Sequence, residues 1–389
     1  MRYNFDKVID RSGTSAEKVE GLKHIWGRTD LIPLWVADMD FATAPFVTDA
    51  IRKRCENEVL GYTGKPDSYY NAIINWVKQR YDLIVTKEVI NFVPGIVPGI
   101  GMAMNCFTQK GDKVMIQPPV YHPFAWVTTR NERTLVINPL KWENGMYRMD
   151  LDAFREQIKG CKLFILCNPH NPGGVVWTEA ELRAIADICY DEKVLVFSDE
   201  IHADLTLPPH THRPFATVSE KARMNSVTFM SPSKAFNMPG LSASHALIFN
   251  EDLRKRFRIY MDAGELDMGH VFAFLSVEAA YSHGTEWLDQ CLAYIQGNID
   301  FVDEFLKKHA PKIKAIRPEA SYLVWLDCRE LKLSQKDLNE FFVDKAHLAL
   351  NDGEMFGKEG IGFMRLNVAS PRCIIEKAMK QLADAYQLY

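Results

Sequence analysis

Short apolar runs alternate with amphipathic helical stretches between about residues 49 and 286, and this alternation restricts the possible folds of the 389-residue chain more than any other feature. The runs are too short and too apolar for surface helices, and they suit strands of a parallel sheet that is covered on both faces. They lie at residues 113–117, 134–137, 162–167, 194–198, 226–230 and 245–249. The alternation predicts an α/β domain with a three-layer, doubly wound and mostly parallel sheet.

The chain after about residue 286 follows a different pattern. A long helical segment covers about residues 286–309, and apolar runs at 322–326 and 362–367 are separated by a helical stretch near 335–346. Strands and helices that do not alternate regularly indicate a smaller α+β C-terminal domain. We therefore predict a large domain of residues 49–286 and a small domain that combines residues 1–48 with residues 287–389.

Composition narrows the possible partners and the compartment. The net charge of −4 gives no support for nucleic-acid binding, and no apolar run approaches the length of a membrane span. The first residues lack the apolar core of a signal peptide, so we expect a cytoplasmic protein. The eight cysteines form no C-x-x-C pair, and we interpret them as reduced packing residues.

Polar residues that follow the predicted strands are candidates for a binding site, because ligands of open α/β sheets bind at the carboxyl ends of strands. Lys234 follows the run 226–230, and Ser231 and Ser233 precede it. Such a lysine can form a Schiff base with an aldehyde cofactor, while the two hydroxyls hold the phosphate of that cofactor. The alternative is a surface lysine after a turn, which is the usual place of a lysine.

Two earlier strand ends supply further groups. Asp199 follows the run 194–198, and a buried carboxylate there requires a partner such as a protonated pyridine nitrogen. Asn171 follows the run 162–167 and can donate to a phenolate oxygen of a ring. A helix N-cap for the aspartate and a self-satisfied turn for the asparagine are the alternatives. An amide, a carboxylate and a lysine at one sheet edge together predict a site for pyridoxal 5'-phosphate.

Two segments before these strand ends fit the same cofactor. Gly95, Ile96 and Val97 precede Pro98, which suits the first turn of a helix, and free N–H groups at such a start bind phosphate. Tyr121 follows the run 113–117 and can stack on a cofactor ring. A core aromatic residue is the alternative interpretation of Tyr121.

These residues lie within motifs that are spread over nearly the whole chain. The motifs are W-V-A-D-M-D-F at 35–41, G-Y-T-G at 61–64, the loop 93–100, Y-H-P-F at 121–124, the loop 168–173, S-D-E-I-H at 198–202, the segment 231–240 and R-L-N at 365–367. The chain resembles the fold-type I pyridoxal-phosphate enzymes of the class I/II aminotransferase superfamily. Within that superfamily it is most similar to the MalY/PatB type of cystathionine β-lyase, a carbon–sulfur lyase.

The resemblance implies a role for each matching position. The implied catalytic residues are Lys234, as Schiff-base lysine and acid/base, Asp199 and Tyr121. The implied cofactor contacts are Lys234, Asp199, Asn171, Tyr121, His202, Ser231, Ser233, Gly95, Ile96 and Val97, and Tyr62 of a neighbouring subunit. The implied substrate contacts are Arg365, Asn171, Trp35 and Asp38, with Arg365 on the α-carboxylate. A tyrosine that reaches the neighbouring site implies a homodimer with shared active sites.

Two features concern the binding of anions, namely the substrate carboxylate and the cofactor phosphate. They are the position of Arg365 and one departure from the wider superfamily. An arginine between Met364 and Leu366 in a strand needs an anionic partner if it is buried, and an edge-strand arginine that faces water is the alternative. Many aminotransferases carry a basic residue for the phosphate shortly after the catalytic lysine, but residues 240–244 contain none. The phosphate charge would then depend on helix dipoles, hydroxyls and Tyr62.

The resemblance implies β-elimination from cystathionine or another L-cysteine S-conjugate, which gives pyruvate, ammonia and a thiol. Transamination between an amino acid and a 2-oxo acid is the alternative activity. A zinc hydrolase is a third interpretation, because His202, His210 and His212 lie near Asp204. A binding protein that retains the cofactor without turnover is a fourth. We expect no resident metal.

Overall fold

The computed structural model describes residues 2–389. Its α-helices are α1 (Glu17–Trp26), α2 (Pro45–Cys55), α3 (Asp67–Tyr81), α4 (Ile96–Phe107), α5 (Pro123–Arg130), α6 (Leu151–Gln157), α7 (Glu179–Asp191), α8 (Glu220–Met224), α9 (Glu251–Ala263), α10 (Val271–His283), α11 (Thr285–His309), α12 (Gln335–Glu340) and α13 (Arg372–Gln387). Its strands are β1 (Ile32–Pro33), β2 (Ile90–Val93), β3 (Lys113–Ile116), β4 (Thr134–Ile137), β5 (Lys141–Glu143), β6 (Met146–Arg148), β7 (Cys161–Cys167), β8 (Leu195–Asp199), β9 (Ser226–Met230), β10 (Ser244–Leu247), β11 (Lys314–Ile316), β12 (Leu323–Asp327), β13 (Leu348–Ala349), β14 (Asn351–Asp352) and β15 (Phe363–Asn367).

A seven-stranded sheet forms the centre of the structure, with the strand order β2-β10-β9-β8-β7-β3-β4. The strands from β9 to β4 pair in parallel, whereas β10 is antiparallel to both of its neighbours. Both faces of the sheet are buried. Leu163 and Phe197 pack on the side of α4 and α9, and Phe164 and Val196 pack on the side of α7. The predicted three-layer, mostly parallel α/β fold is confirmed.

A hydrogen-bonded cap fixes the start of α7. The hydroxyl of Thr178 accepts from the N–H of Glu181, and the Glu181 carboxylate accepts from the N–H of Thr178. This reciprocal arrangement satisfies two N–H groups that have no partner inside the helix. The predicted strands appear with ends that match or shift by one or two residues, while β1, β2, β11, β13, β14 and the β5–β6 hairpin are additional.

The later part of the chain forms a separate sheet with the order β11-β12-β15-β14. The N-terminal segment joins this region, because β1 pairs in parallel with β13. One cluster of buried apolar residues nevertheless runs from Tyr69 and Val277 to Ile295 and Leu326. The division into residues 49–286 and the remainder therefore stays a prediction. No helix within residues 2–389 combines the length and apolar composition that a bilayer crossing requires.

Candidate active site

A cavity of about 290 Å³ lies at the carboxyl ends of β7, β8 and β9. Most of the residues that the sequence singled out line it, namely Gly95, Ile96, Val97, Tyr121, Asn171, Asp199, His202, Ser233 and Lys234. They come from distant parts of the chain and meet because parallel strands bring their carboxyl ends to one edge of a sheet.

Lys234 lies in the turn after β9 and is partly buried. Its Nζ donates to the carbonyl oxygen of Ala37 at 2.6 Å. Burial, together with the nearby Arg365 guanidinium, lowers the pKa of Lys234 to about 8, although Asp38 and Asp199 oppose this shift. An amine with such a pKa is available as a nucleophile and as a base near neutral pH.

Asp199 is the last residue of β8 and is buried, with a relative exposure of 4%. Within residues 2–389 its side chain accepts one hydrogen bond, from the N–H of Ile201 at 3.1 Å. Burial raises the pKa of Asp199 to about 7, and the neighbouring Glu200 adds to the shift. The charge of Lys234 opposes this shift, but Asp199 forms no ion pair with any residue in 2–389. A buried carboxylate of this kind at a cavity fits a ligand that brings a positive charge.

The N-terminus of α4 points an uncapped first turn at the same cavity. Gly95 occupies the N-cap with φ of 118°, a value that favours glycine, and no side chain caps the helix. The first N–H groups of a helix have no partner inside it, and they carry the positive end of the helix dipole. This turn and the buried Ser233 therefore form a suitable phosphate site.

Three other side chains complete the cavity wall. Burial raises the pKa of Tyr121, which keeps its phenol neutral. Burial lowers the pKa of His202 to about 3, and its Nδ1 has no hydrogen-bond partner within residues 2–389. The side-chain oxygen of Asn171 accepts from Nη1 of Arg365 at 3.1 Å, which connects the cavity to the arginine.

Arg365 lies in β15 and is buried, with a relative exposure of 4%. Its guanidinium donates to Asn171, to the Trp35 carbonyl at 3.1 Å and to Asn351 at 2.5 Å, all of which are neutral. It also stacks over the Phe356 ring at 4.8 Å. Burial lowers the pKa of Arg365 to about 10. A buried cation with only neutral partners is a ready site for a carboxylate.

The structure places four other predicted residues outside the cavity wall. The Ser231 hydroxyl donates to the Ala243 carbonyl at 2.8 Å. The Asp38 carboxylate pairs with Arg11 at 2.6 Å, and the Trp35 side chain lines a separate cavity of about 390 Å³. Tyr62 is 98% exposed, in a segment without regular secondary structure.

Several residues of the site were not anticipated from the sequence. Ala37, Cys167 and Ser244 line the cavity, and Asn351 and Phe356 hold Arg365. Cys167 is the last residue of β7, a strand-end position that could have indicated it. Ala37 contributes a carbonyl oxygen, which no side-chain pattern reveals.

The three histidines of the zinc interpretation have different neighbours, and His202 lines the cavity. His212 contacts the buried Glu200 at 2.8 Å, while His210 lies 3.7 Å from Glu319. Asp204 instead accepts from the Trp76 ring nitrogen at 3.0 Å. Across residues 2–389, no group of three or more histidine, cysteine, aspartate or glutamate side chains is arranged to hold a metal ion.

A strand-end lysine, a buried carboxylate and an open helix N-terminus share this cavity in an α/β fold, and this is the set of groups that an anionic aromatic aldehyde cofactor requires. The model of the family described as aminotransferase class I and II matches residues 29–382, so the chain belongs to that family. Cystathionine beta-lyase PatB of Bacillus subtilis (strain 168) is 38% identical over 384 residues, which cover 98% of this chain and 99% of PatB.

Two solved structures extend the similarity to the backbone. Cystalysin from Treponema denticola, which contains pyridoxal 5'-phosphate, has a TM-score of 0.96 and 34% identity and covers 100% of this chain and 99% of its own. The pyridoxal-phosphate-bound C–S lyase from Staphylococcus hominis has a TM-score of 0.91 and 35% identity, with coverage of 99% of this chain and 98% of its own. The resemblance stated from the sequence motifs is confirmed.

Proposed function

We propose that this protein is a pyridoxal-phosphate-dependent carbon–sulfur β-lyase that acts on cystathionine or other L-cysteine S-conjugates. The observation that carries the proposal is the cavity shared by Lys234, Asp199 and the open N-terminus of α4. It occurs in a chain that matches a relative named cystathionine beta-lyase and a solved C–S lyase over nearly their whole length.

The residues of the cavity fit pyridoxal phosphate. Lys234 offers an amine for its aldehyde, Asp199 offers a carboxylate for its pyridine nitrogen, and the first turn of α4 with Ser233 offers donors for its phosphate. Asn171, His202 and Tyr121 line the same cavity, where Asn171 and His202 would donate to the ring oxygen and Tyr121 would stack on the ring. When bound, pyridoxal phosphate supplies an aldehyde for amines and a ring that draws electrons from the substrate α-carbon.

The remaining steps belong to side chains of this protein. Arg365 and Asn171 bind the α-carboxylate of the amino acid and fix its orientation. The neutral Lys234 amine removes the α-proton, which its lowered pKa of about 8 permits. Trp35 acts on the substrate side through its carbonyl, which orients Arg365, and Asp38 acts through its charge near Lys234. The balanced reaction converts cystathionine and water into homocysteine, pyruvate and ammonia.

The test is the release of products from L-cystathionine by purified protein loaded with pyridoxal phosphate, with and without an added 2-oxo acid. Equal amounts of pyruvate and homocysteine without the 2-oxo acid would support the β-lyase. Amino-group transfer only in the presence of the 2-oxo acid would instead identify an aminotransferase. Cysteine in place of homocysteine would show cleavage on the other side of the sulfur.

Two variants separate catalysis at this site from contamination. Lys234→Ala should abolish pyruvate release, because it removes both the amine that binds the cofactor and the base. Lys336→Ala, at a surface position where the lysine side chain is 84% exposed, should retain full activity. Normal turnover by Lys234→Ala would refute the assignment.

We also propose a homodimer in which Tyr62 of one subunit completes the cavity of the other. Tyr62 does not line the cavity of its own chain. Leu60 and Met268, which share a surface depression with Tyr62, are 60% and 46% exposed, and Val59, three residues before Tyr62, is 71% exposed. Exposed apolar side chains grouped in this way are typical of a protein interface. A second copy of the chain would cover them and receive the Tyr62 hydroxyl as a phosphate ligand.

Mixed dimers test this arrangement. Lys234→Ala and Tyr62→Ala homodimers should both be nearly inactive, and subunit exchange between them should restore up to about a quarter of the native activity. In each hybrid, one site carries both substitutions and the other site is intact. No recovery after verified exchange would contradict a shared site.

The proposal also covers the cellular compartment and the type of substrate. We propose that the protein acts in the cytoplasm on a small amino-acid substrate. Its eight cysteines are free thiols, and six of them lie in the interior or partly buried, which suits a reducing compartment. Fractionation of the native cells with activity as the readout would test the location.

A further inference from the structure

The segment 35–41 forms neither a helix nor a strand, and its residue Ala37 lines the cavity. Side chains from elsewhere in the chain donate to the carbonyl groups of this segment. The Trp35 carbonyl accepts from Arg365, and the Ala37 carbonyl accepts from Lys234. One stretch of backbone therefore contacts both the proposed substrate arginine and the proposed catalytic lysine.

The Ala37 carbonyl has two donors. Lys234 Nζ lies 2.6 Å from the oxygen, and the hydroxyl of Tyr322 lies 2.9 Å from it. Tyr322 is fully buried, so its hydroxyl has little access to water. A carbonyl oxygen has two lone pairs, and here both are occupied.

A third side chain fixes the orientation of this peptide. The amide nitrogen of Asn367 donates to the Val36 carbonyl at 2.7 Å and to the Asp38 carbonyl at 2.6 Å. The Asn367 oxygen in turn accepts from the N–H of Ala369 at 2.8 Å. The residues on both sides of Ala37 are thus held independently of Lys234.

We propose that the Ala37 carbonyl is the resting place of the Lys234 amine whenever this amine is not bonded to the cofactor, and that Tyr322, together with Asn367, positions this carbonyl. The inference rests on the proposed function, because it assumes that Lys234 bonds to pyridoxal phosphate. Tyr322 does not touch the reacting atoms, so its role is positioning rather than catalysis.

The second donor has a physical purpose. Lys234 must leave the Ala37 oxygen each time its amine bonds to the cofactor, and a buried carbonyl that loses its only partner is unfavourable. The Tyr322 hydroxyl stays in place and satisfies that oxygen while the lysine is away. It also competes with Lys234 for the oxygen, so the ammonium is held less tightly and the amine is released more easily.

Tyr322→Phe removes this hydroxyl and keeps the ring that fills the core. The Ala37 oxygen would then have Lys234 as its only donor within residues 2–389. The hydrogen bond from the lysine would become stronger, and it would stabilise the charged form of the lysine more. The titratable and charged groups that face Lys234 are Asp38, Asp199, His202 and Arg365, and the variant leaves all four in place. The matched control is Tyr147→Phe, which removes a buried hydroxyl that accepts from the Trp325 ring nitrogen at 3.2 Å.

The experiment mixes each cofactor-free protein with pyridoxal phosphate and follows the visible absorption of the lysine-bound cofactor from neutral to alkaline pH. We expect Tyr322→Phe to slow this reaction about threefold to tenfold at neutral pH, as the change of one hydrogen bond implies. The midpoint of its pH dependence should move upward. Tyr147→Phe should match the unsubstituted protein, and thermal unfolding should show that both variants are folded.

The possible failures are distinguishable. An unchanged or lowered midpoint in Tyr322→Phe would overturn the positioning role, as would equal slowing in both variants, which would indicate general loosening of the core. If the unsubstituted protein gave no lysine-bound cofactor, the proposed function itself would fail and this inference with it. A selective upward move of the midpoint in Tyr322→Phe supports it.

Discussion

Replacing Asp199 with asparagine should make the cofactor-free protein more stable at alkaline pH. Burial raises the pKa of this carboxyl from its ordinary 3.8 to about 7, so the fold favours its neutral form. Ionising it in the folded state therefore costs free energy. The cost begins as the pH rises above 3.8, the value in the unfolded chain, and is complete above about 7.

The size of the effect follows from the two pKa values. A difference of about three pH units corresponds to about 4 kcal/mol at 1.36 kcal/mol per unit. At about pH 4 the cost is less than about 1 kcal/mol, because the group is neutral in the folded state and only about half ionised in the unfolded chain. Asparagine keeps an oxygen for the N–H of Ile201 and never ionises, so the variant avoids the cost.

Urea unfolding of both cofactor-free proteins at about pH 4 and about pH 8, followed by tryptophan fluorescence, measures the difference. The gain in unfolding free energy of Asp199→Asn should grow by about 3 to 4 kcal/mol between the two pH values. Bound pyridoxal phosphate should then stabilise the native protein more than the variant. A gain that does not depend on pH, or a variant that is less stable at about pH 8, would refute the assigned environment of Asp199.

Two further predictions concern binding and packing. Arg365→Lys should raise the KM for the amino-acid substrate about 10-fold to 100-fold in steady-state kinetics, because lysine cannot reproduce the guanidinium fork, and an unchanged KM would remove Arg365 from the substrate site. Gly353→Ala should destabilise the protein by about 2 kcal/mol or more in denaturant unfolding, since the new Cβ would lie 2.1 Å from the Gly360 carbonyl oxygen. Gly297→Ala, inside α11 with its nearest neighbour 3.4 Å away, should instead stabilise by about 0.5 to 1 kcal/mol; equal effects would contradict this packing.

The sequence was sufficient for those parts of the site that depend on strand direction. Asp199, Asn171 and Lys234 follow parallel strands of one sheet, and parallel strands place their carboxyl ends side by side. The helix start beside the cavity was predictable because Pro98 and Gly95 mark it in the sequence. These inferences need only the order of elements and their local chemistry.

Other parts of the site depend on packing that a linear pattern does not contain. The position of Ser231 near the lysine predicts a phosphate contact, but the turn directs its hydroxyl to the Ala243 carbonyl. Ala37 reaches the cavity only because Asn367 and Tyr322 hold its peptide there. Backbone groups and their long-range partners carry no residue-type signal, so the structure alone could reveal them.

Burial has the same effect on the three central ionisable groups of the site. Burial moves the pKa of Lys234 down to about 8, that of Asp199 up to about 7 and that of Arg365 down to about 10, so each is shifted towards its neutral form. A pyridine nitrogen, an aldehyde and an α-carboxylate would each supply what one of these groups lacks. A ligand that supplies the missing opposite charges would favour the charged forms of these groups. Ligand binding should therefore stabilise the fold by more than the contact area alone implies.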